Sequence, residues 1–164
     1  MIGDLLKCSY TALLAGAKEV AHSVYYDQQS YTSVWELNLM HGLPLKTIGD
    51  DLGSGAGCEL DGKLRAAHSS AALAVNTFGP WRDDASSLQV GETGFRSIRF
   101  EATCPTGLRG TPPHLDLLAD GDLPVAIESK CTEWMTPKEA KFSGSYDSLE
   151  ATHGHSPWFD QIAT

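Results

Sequence analysis

The stretch PPHLDLLADGDLPVAIESKCTEW (residues 112–134) decides the reading of this chain. Two largely apolar runs, His114 to Ala119 and Val125 to Cys131, flank the turn-forming segment Asp120-Gly-Asp-Leu-Pro124. Strand, turn and strand in that order predict an antiparallel hairpin. Asp116 and Glu128 sit on opposite arms at an even separation, so a hairpin loop of odd length places both side chains on one face. A five-residue loop, 120–124, makes them direct neighbours, and a three-residue loop makes them diagonal ones. Pro124 lacks an N–H and suits the loop better than a paired position. Lys130, two residues past Glu128, shares their face. Leu115, Leu117, Val125, Ile127 and Ser129 fall on the other face, which is the expected core side.

Two facing carboxylates repel each other unless a cation is close. Lys130 offsets one charge, and a divalent metal ion would offset the rest. Asp and Glu oxygens are hard ligands suited to Mg²⁺, which takes one or two carboxylates together with water and substrate phosphate. A lysine beside such an ion can orient or deprotonate a water, or stabilise charge on a phosphoryl transition state. Metal-assisted phosphodiester hydrolysis needs these groups together.

Upstream, the apolar period is two. In Ser97 to Thr103, Ile98, Phe100 and Ala102 alternate with Arg99, Glu101 and Thr103, which predicts a half-buried strand with Arg99 and Glu101 on its polar face. Before it, Glu59 to Phe78 carries an apolar stripe at helical spacing and is stopped by Gly79-Pro80, with Ser69 and Ser70 mid-helix. A further helix is expected over residues 3–22 and a shorter one over 32–40. His41 to Gly57, rich in glycine, is expected to be a loop and the boundary between an N-terminal helical segment (1–58) and a core (59–164). Residues 104–113 form a turn-rich loop, in which Arg109, like Arg99 on the strand before it, is a candidate phosphate contact.

Asp116, eleven residues, then Glu128-Ser129-Lys130 resembles the motif of the PD-(D/E)XK nuclease superfamily, the restriction-endonuclease-like proteins. The segments 69–81 (SSAALAVNTFGPW) and 112–134 are similar to those of bacterial restriction-endonuclease-like proteins, and the likeness covers roughly residues 59–150. The resemblance implies an α+β fold with an αβββαβ core and a mixed sheet, the motif lying on its second and third strands. It also implies a Mg²⁺-dependent deoxyribonuclease of restriction type, with Mn²⁺ able to substitute. Asp116 and Glu128 match the metal-ligating acids and Lys130 the catalytic lysine. The Ser129 carbonyl would complete the metal shell, and Glu101 matches an additional acid. Leu115 stands where the motif has proline. The helix and fourth strand that follow the lysine in this superfamily are not legible in residues 131–164. A core that is short at that end is therefore expected, with a partner chain or a second copy in a homodimer completing the sheet.

Composition sets the outer limits. With 164 residues, 41 % hydrophobic and 20 % charged, the chain suits one soluble globular domain able to hold a core without a metal or disulfide. No apolar run approaches the ~18 residues of a membrane span. The N-terminal stretch, with acids and no basic segment ahead of an apolar one, does not read as a signal peptide, so a cytoplasmic protein is expected. Cys8, Cys58, Cys104 and Cys131 show no CxxC spacing and are expected to be free thiols; a zinc site from Cys104, Cys131, His153 and His155 is the weaker alternative. The net charge of −9 opposes non-specific DNA binding. The acids gather in the flanks, however: residues 1–60 hold three lysines against seven acids, and residues 143–164 hold three acids and no base. A catalytically silent nuclease-like subunit that binds nucleic acid or assembles with another chain is the competing expectation.

Overall fold

A computed structural model describes residues 2–20, 26–54, 60–105, 112–132 and 135. The elements are α1 (Ile2–Val20), α2 (Leu45–Ser54), α3 (Ser70–Phe78), β1 (Gln89–Val90), β2 (Thr93–Thr103), β3 (His114–Gly121) and β4 (Val125–Ile127), with short 3₁₀ turns between them. The fold is α+β, as expected. The four strands form one sheet in the order β1-β2-β3-β4, and every pairing is antiparallel. The parallel strand of a mixed sheet would follow Lys130, where nearly all positions lie outside the described residues.

The alternation of residues 97–103 produces β2 as read, with Ile98, Phe100 and Ala102 buried. The strand begins earlier than expected, at Thr93, because a bulge between Phe95 and Ser97 absorbs one extra residue. Phe95 and Ile98 consequently share the core face despite their odd separation. Gly121 pairs with Phe95 there, and a Cβ at position 121 would lie 2.7 Å from the Gly94 carbonyl. Strand β3 runs two residues further than expected, and β4 is three residues long instead of seven.

The helices differ more. The stretch 41–57, expected to be a loop, contains α2. Leu45, Ile48 and Leu52 have helical spacing, and Ile48 and Leu52 are fully buried, so one apolar stripe outweighs the propensity cost of Gly49 and Gly53. Gly49 stands against the Trp35 ring, where a Cβ would approach to 3.5 Å. The helix expected over 59–78 starts only at Ser70. Ser69 is its N-cap and accepts a hydrogen bond from the Ala72 N–H at 3.0 Å, so this serine starts the helix and does not sit inside it. Residues 32–40 hold only a 3₁₀ turn, Trp35–Asn38. Helix α1 matches its expected span to within the described residues, and its Tyr10 stacks on His68 with ring centroids 4.1 Å apart.

Helices α2 and α3 cover one face of the sheet. Ile48, Leu52, Ala74 and Val75 meet Ile98, Phe100, Leu117 and Ala119 in a single apolar cluster. Each large side chain buried there contributes about 1.5–3 kcal/mol. Strand β1 covers β2 only at Thr93 and Gly94. Farther along that edge, α2 supplies the missing partner: the Asp51 carboxylate accepts the Phe100 N–H at 3.1 Å. Arg82 grips the same carboxylate with both fork nitrogens, at 2.6 and 2.8 Å. No described helix is long and apolar enough to cross a membrane.

If α2 is part of the core, Leu52→Ala lowers unfolding free energy by about 2–5 kcal/mol in urea titration, the range for emptying a buried leucine site. A change within ~0.5 kcal/mol, the size for an exposed loop position, would contradict that placement.

Candidate functional site

The turn settles the hairpin register. Ala119 pairs with Val125, Leu118 with Ala126 and Leu117 with Ile127, leaving the five-residue loop 120–124. The next pair in that register is Asp116 opposite Glu128. Both then lie on the face away from the helices, while Leu117 is fully buried on the other. Just past β4, the Ser129 N–H donates to Asp116 Oδ2 at 2.6 Å, which ties the end of the hairpin to that carboxylate. Lys130 Nζ donates to Glu128 Oε2 at 2.9 Å, and both side chains are about half exposed.

Among the described residues the charges do not balance: two carboxylates face one ammonium, which donates to Glu128. The Asp116 carboxyl holds its proton more tightly than an ordinary aspartate. Its partial burial is the main cause; the adjacent Glu128 charge and the hydrogen bond that protonated Asp116 donates to Glu128 add to it, against the opposing pull of the Ser129 N–H and Lys130. A site that favours a proton between two oxygens offers the same oxygens to a metal cation. Two carboxylates form a hard, oxygen-only donor set, which fits Mg²⁺ or Mn²⁺ and not a thiol-seeking ion.

A family model described as restriction endonuclease associating with ARP matches residues 11–162. The chain belongs to that family. No curated protein and no solved structure matches it. The restriction-endonuclease-like resemblance of the hairpin thus extends over almost the whole sequence, including α2 and most of α1.

The other expected site residues of this family member are placed less closely. Glu101 occupies the β2 position in line with Asp116: Phe100 pairs with Leu117 and Ala102 with Leu115, but the pair between them is not made. Glu101 has φ +46°, a left-handed backbone in mid-strand, and its carbonyl lies 3.4 Å from His114 Nδ1. Among the described residues no three His, Cys, Asp or Glu side chains converge as a metal-holding group, so Glu101 does not complete a three-acid set with Asp116 and Glu128. Arg99 is exposed on the same face, one outward-facing position before Glu101. Arg109 lies outside the described residues, as do His153 and His155 of the alternative zinc set; Cys104 and Cys131 are free thiols, as is Cys8. Sequence reading missed Asp51, Arg82 and the His114 contact. Asp51 was hidden by the glycines around it, although the Leu45, Ile48, Leu52 spacing marks its helix.

Asp116 takes up a proton more readily in the folded chain than an ordinary aspartate does. The folded state binds this proton more tightly than the unfolded chain, so ionising Asp116 costs stability as pH rises through and above the carboxylate range. Asparagine keeps an oxygen for the Ser129 N–H and carries no charge. In EDTA at pH 7, Asp116→Asn therefore melts at a higher temperature than the parent, and the gap closes toward pH 3. A lower melting temperature for the variant at pH 7 would refute the charge imbalance.

Proposed function

We propose that this restriction-endonuclease-like protein is a divalent-cation-dependent deoxyribonuclease of the PD-(D/E)XK type. The observation that carries the reading is the Asp116–Glu128 pair with the Lys130 ammonium beside it on the side of the sheet away from the described helices. Asp116 and Glu128 would hold Mg²⁺, or Mn²⁺ in its place, with the Ser129 carbonyl beside them. When bound, the ion supplies charge neutralisation for the scissile phosphate and lowers the pKa of water. The Ser129 N–H fixes Asp116 in one orientation, so this oxygen set is organised before substrate arrives. Lys130 stays within reach of the attacking water through its contact with Glu128, and it serves that water by orienting it and moving its proton. Glu101, which does not join the two acids as a third ligand, would act on the next strand only through water. Arg99, and Arg109 in the loop, contact the phosphates on either side of the cut, where DNA is held by charge and not read by sequence.

The family description names association with ARP. We extend that to this chain: it works with such a partner, either as the cutting subunit or as one of two copies in a homodimer. A cytoplasmic location accords with the free thiols at Cys8, Cys104 and Cys131. A second reading, a catalytically silent subunit for binding or assembly, is favoured by the net charge of −9 and by the separation of Glu101 from the other two acids.

Cleavage of supercoiled and linear DNA, with RNA in parallel, distinguishes the two. The nuclease reading predicts nicking or linearisation with Mg²⁺ or Mn²⁺ that EDTA abolishes. Lys130→Ala should lower the rate by roughly 10²–10⁴-fold, the range for losing a proton-transfer group. Cleavage unchanged in Lys130→Ala would overturn the site. No divalent-dependent cleavage by the parent, alone or with its partner, would favour the silent subunit.

A further inference from the structure

The backbone at Glu101 is turned away from ordinary strand geometry, and two described contacts flank it. The pairs on either side, Phe100 with Leu117 and Ala102 with Leu115, keep one common register. No residue is inserted or lost, so the missing pair between them is not a bulge. It is a single residue turned to φ +46°. A side chain with a Cβ disfavours that region, and such conformations persist where the surroundings over-determine them.

Two anchors bracket the turn. On the far side, the Glu101 carbonyl lies beside the His114 ring, and Thr103 pairs with His114. On the near side, the Phe100 N–H is taken by Asp51. Asp51 cannot follow a movement of β2, because Arg82 holds both its oxygens and the two side chains are only 12 % and 17 % exposed. Helix α2 carries Asp51 and is itself fixed by Ile48 and Leu52 in the core.

The consequence falls on the candidate site. With an extended backbone at Glu101, its side chain would stand on the face of Asp116 and Glu128, three carboxylates abreast on three neighbouring strands. With the turned backbone, no three-acid group forms among the described residues. We propose that Asp51 and Arg82 are positioning residues that set the cation affinity of this site: their ion pair, through the Phe100 amide, holds Glu101 out of line with Asp116 and Glu128. The metal part of this inference rests on the proposed function; the backbone part does not.

Nuclear magnetic resonance of the full chain tests both parts. The Cα chemical shift and HN–Hα coupling of Glu101 separate left-handed from extended backbone. In Asp51→Ala/Arg82→Met, which removes the pair without leaving a lone buried charge, both reporters should move to extended values. Arg82→Lys, a milder change that keeps the charge but loses the fork, should move the reporters in the same direction as the first variant, and it serves if that variant does not fold. Mn²⁺ titration should show tighter binding by roughly ten-fold in Asp51→Ala/Arg82→Met, since affinity follows ligand charge count. In the same variant carrying Glu101→Gln, the gain should vanish. A left-handed Glu101 that persists in both Asp51→Ala/Arg82→Met and Arg82→Lys overturns the proposal, as does an affinity change of equal size with Gln at 101. If the parent binds no Mn²⁺ that Asp116→Asn removes, the metal site fails, and the backbone reporters alone decide the role of Asp51 and Arg82.

Discussion

A one-residue slip in the β3–β4 hairpin would turn Asp116 into the core and Leu117 into solvent. The register with Ala119 opposite Val125 is therefore the constraint on which everything else depends. Its strength comes from the face opposite the site. Leu117 and Ala119 are buried against α2 and α3, and Ile127 packs on the same cluster. Hydrophobic burial on one side of the sheet thereby forces two like charges together on the other.

The chain holds another partly buried acid, and the two differ in how their charge is met. Asp51 is matched by a bidentate arginine and a backbone N–H, so its charge is fully answered from within the protein. Asp116 and Glu128 have one lysine beside them among the described residues, and partial burial together with the Glu128 charge raises the proton affinity of Asp116. A structural acid is normally neutralised as Asp51 is. An acid pair left short of positive charge on an exposed face weakens the fold and makes sense as a place for a ligand that brings the charge with it.

The parts of this fold that were legible in the sequence are those set by local period. The alternation at Ile98, Phe100 and Ala102 gave β2, and the turn chemistry of 120–124 gave the hairpin and one of its two allowed registers. The shared face of Asp116, Glu128 and Lys130 followed from the same period. What was not legible depends on tertiary packing. The Gly49 and Gly53 of α2 argued for a loop until Ile48 and Leu52 were seen in the core. Ser69 looked like a small residue inside a helix and is the cap that starts it. The left-handed turn at Glu101 has no signal in its own residue type, and its proposed anchor, Asp51, lies 50 positions earlier in the chain.

The claim that Asp116 and Glu128 form a cation site is tested most directly by thermal melting of the full chain against Mg²⁺ concentration, in the parent and in Asp116→Asn. A ligand that binds only the folded state raises its melting temperature as concentration climbs above the dissociation constant. The parent should rise progressively with millimolar Mg²⁺, while Asp116→Asn, starting higher, should stay flat. Equal rises in the two proteins, or no rise in the parent, would contradict the site.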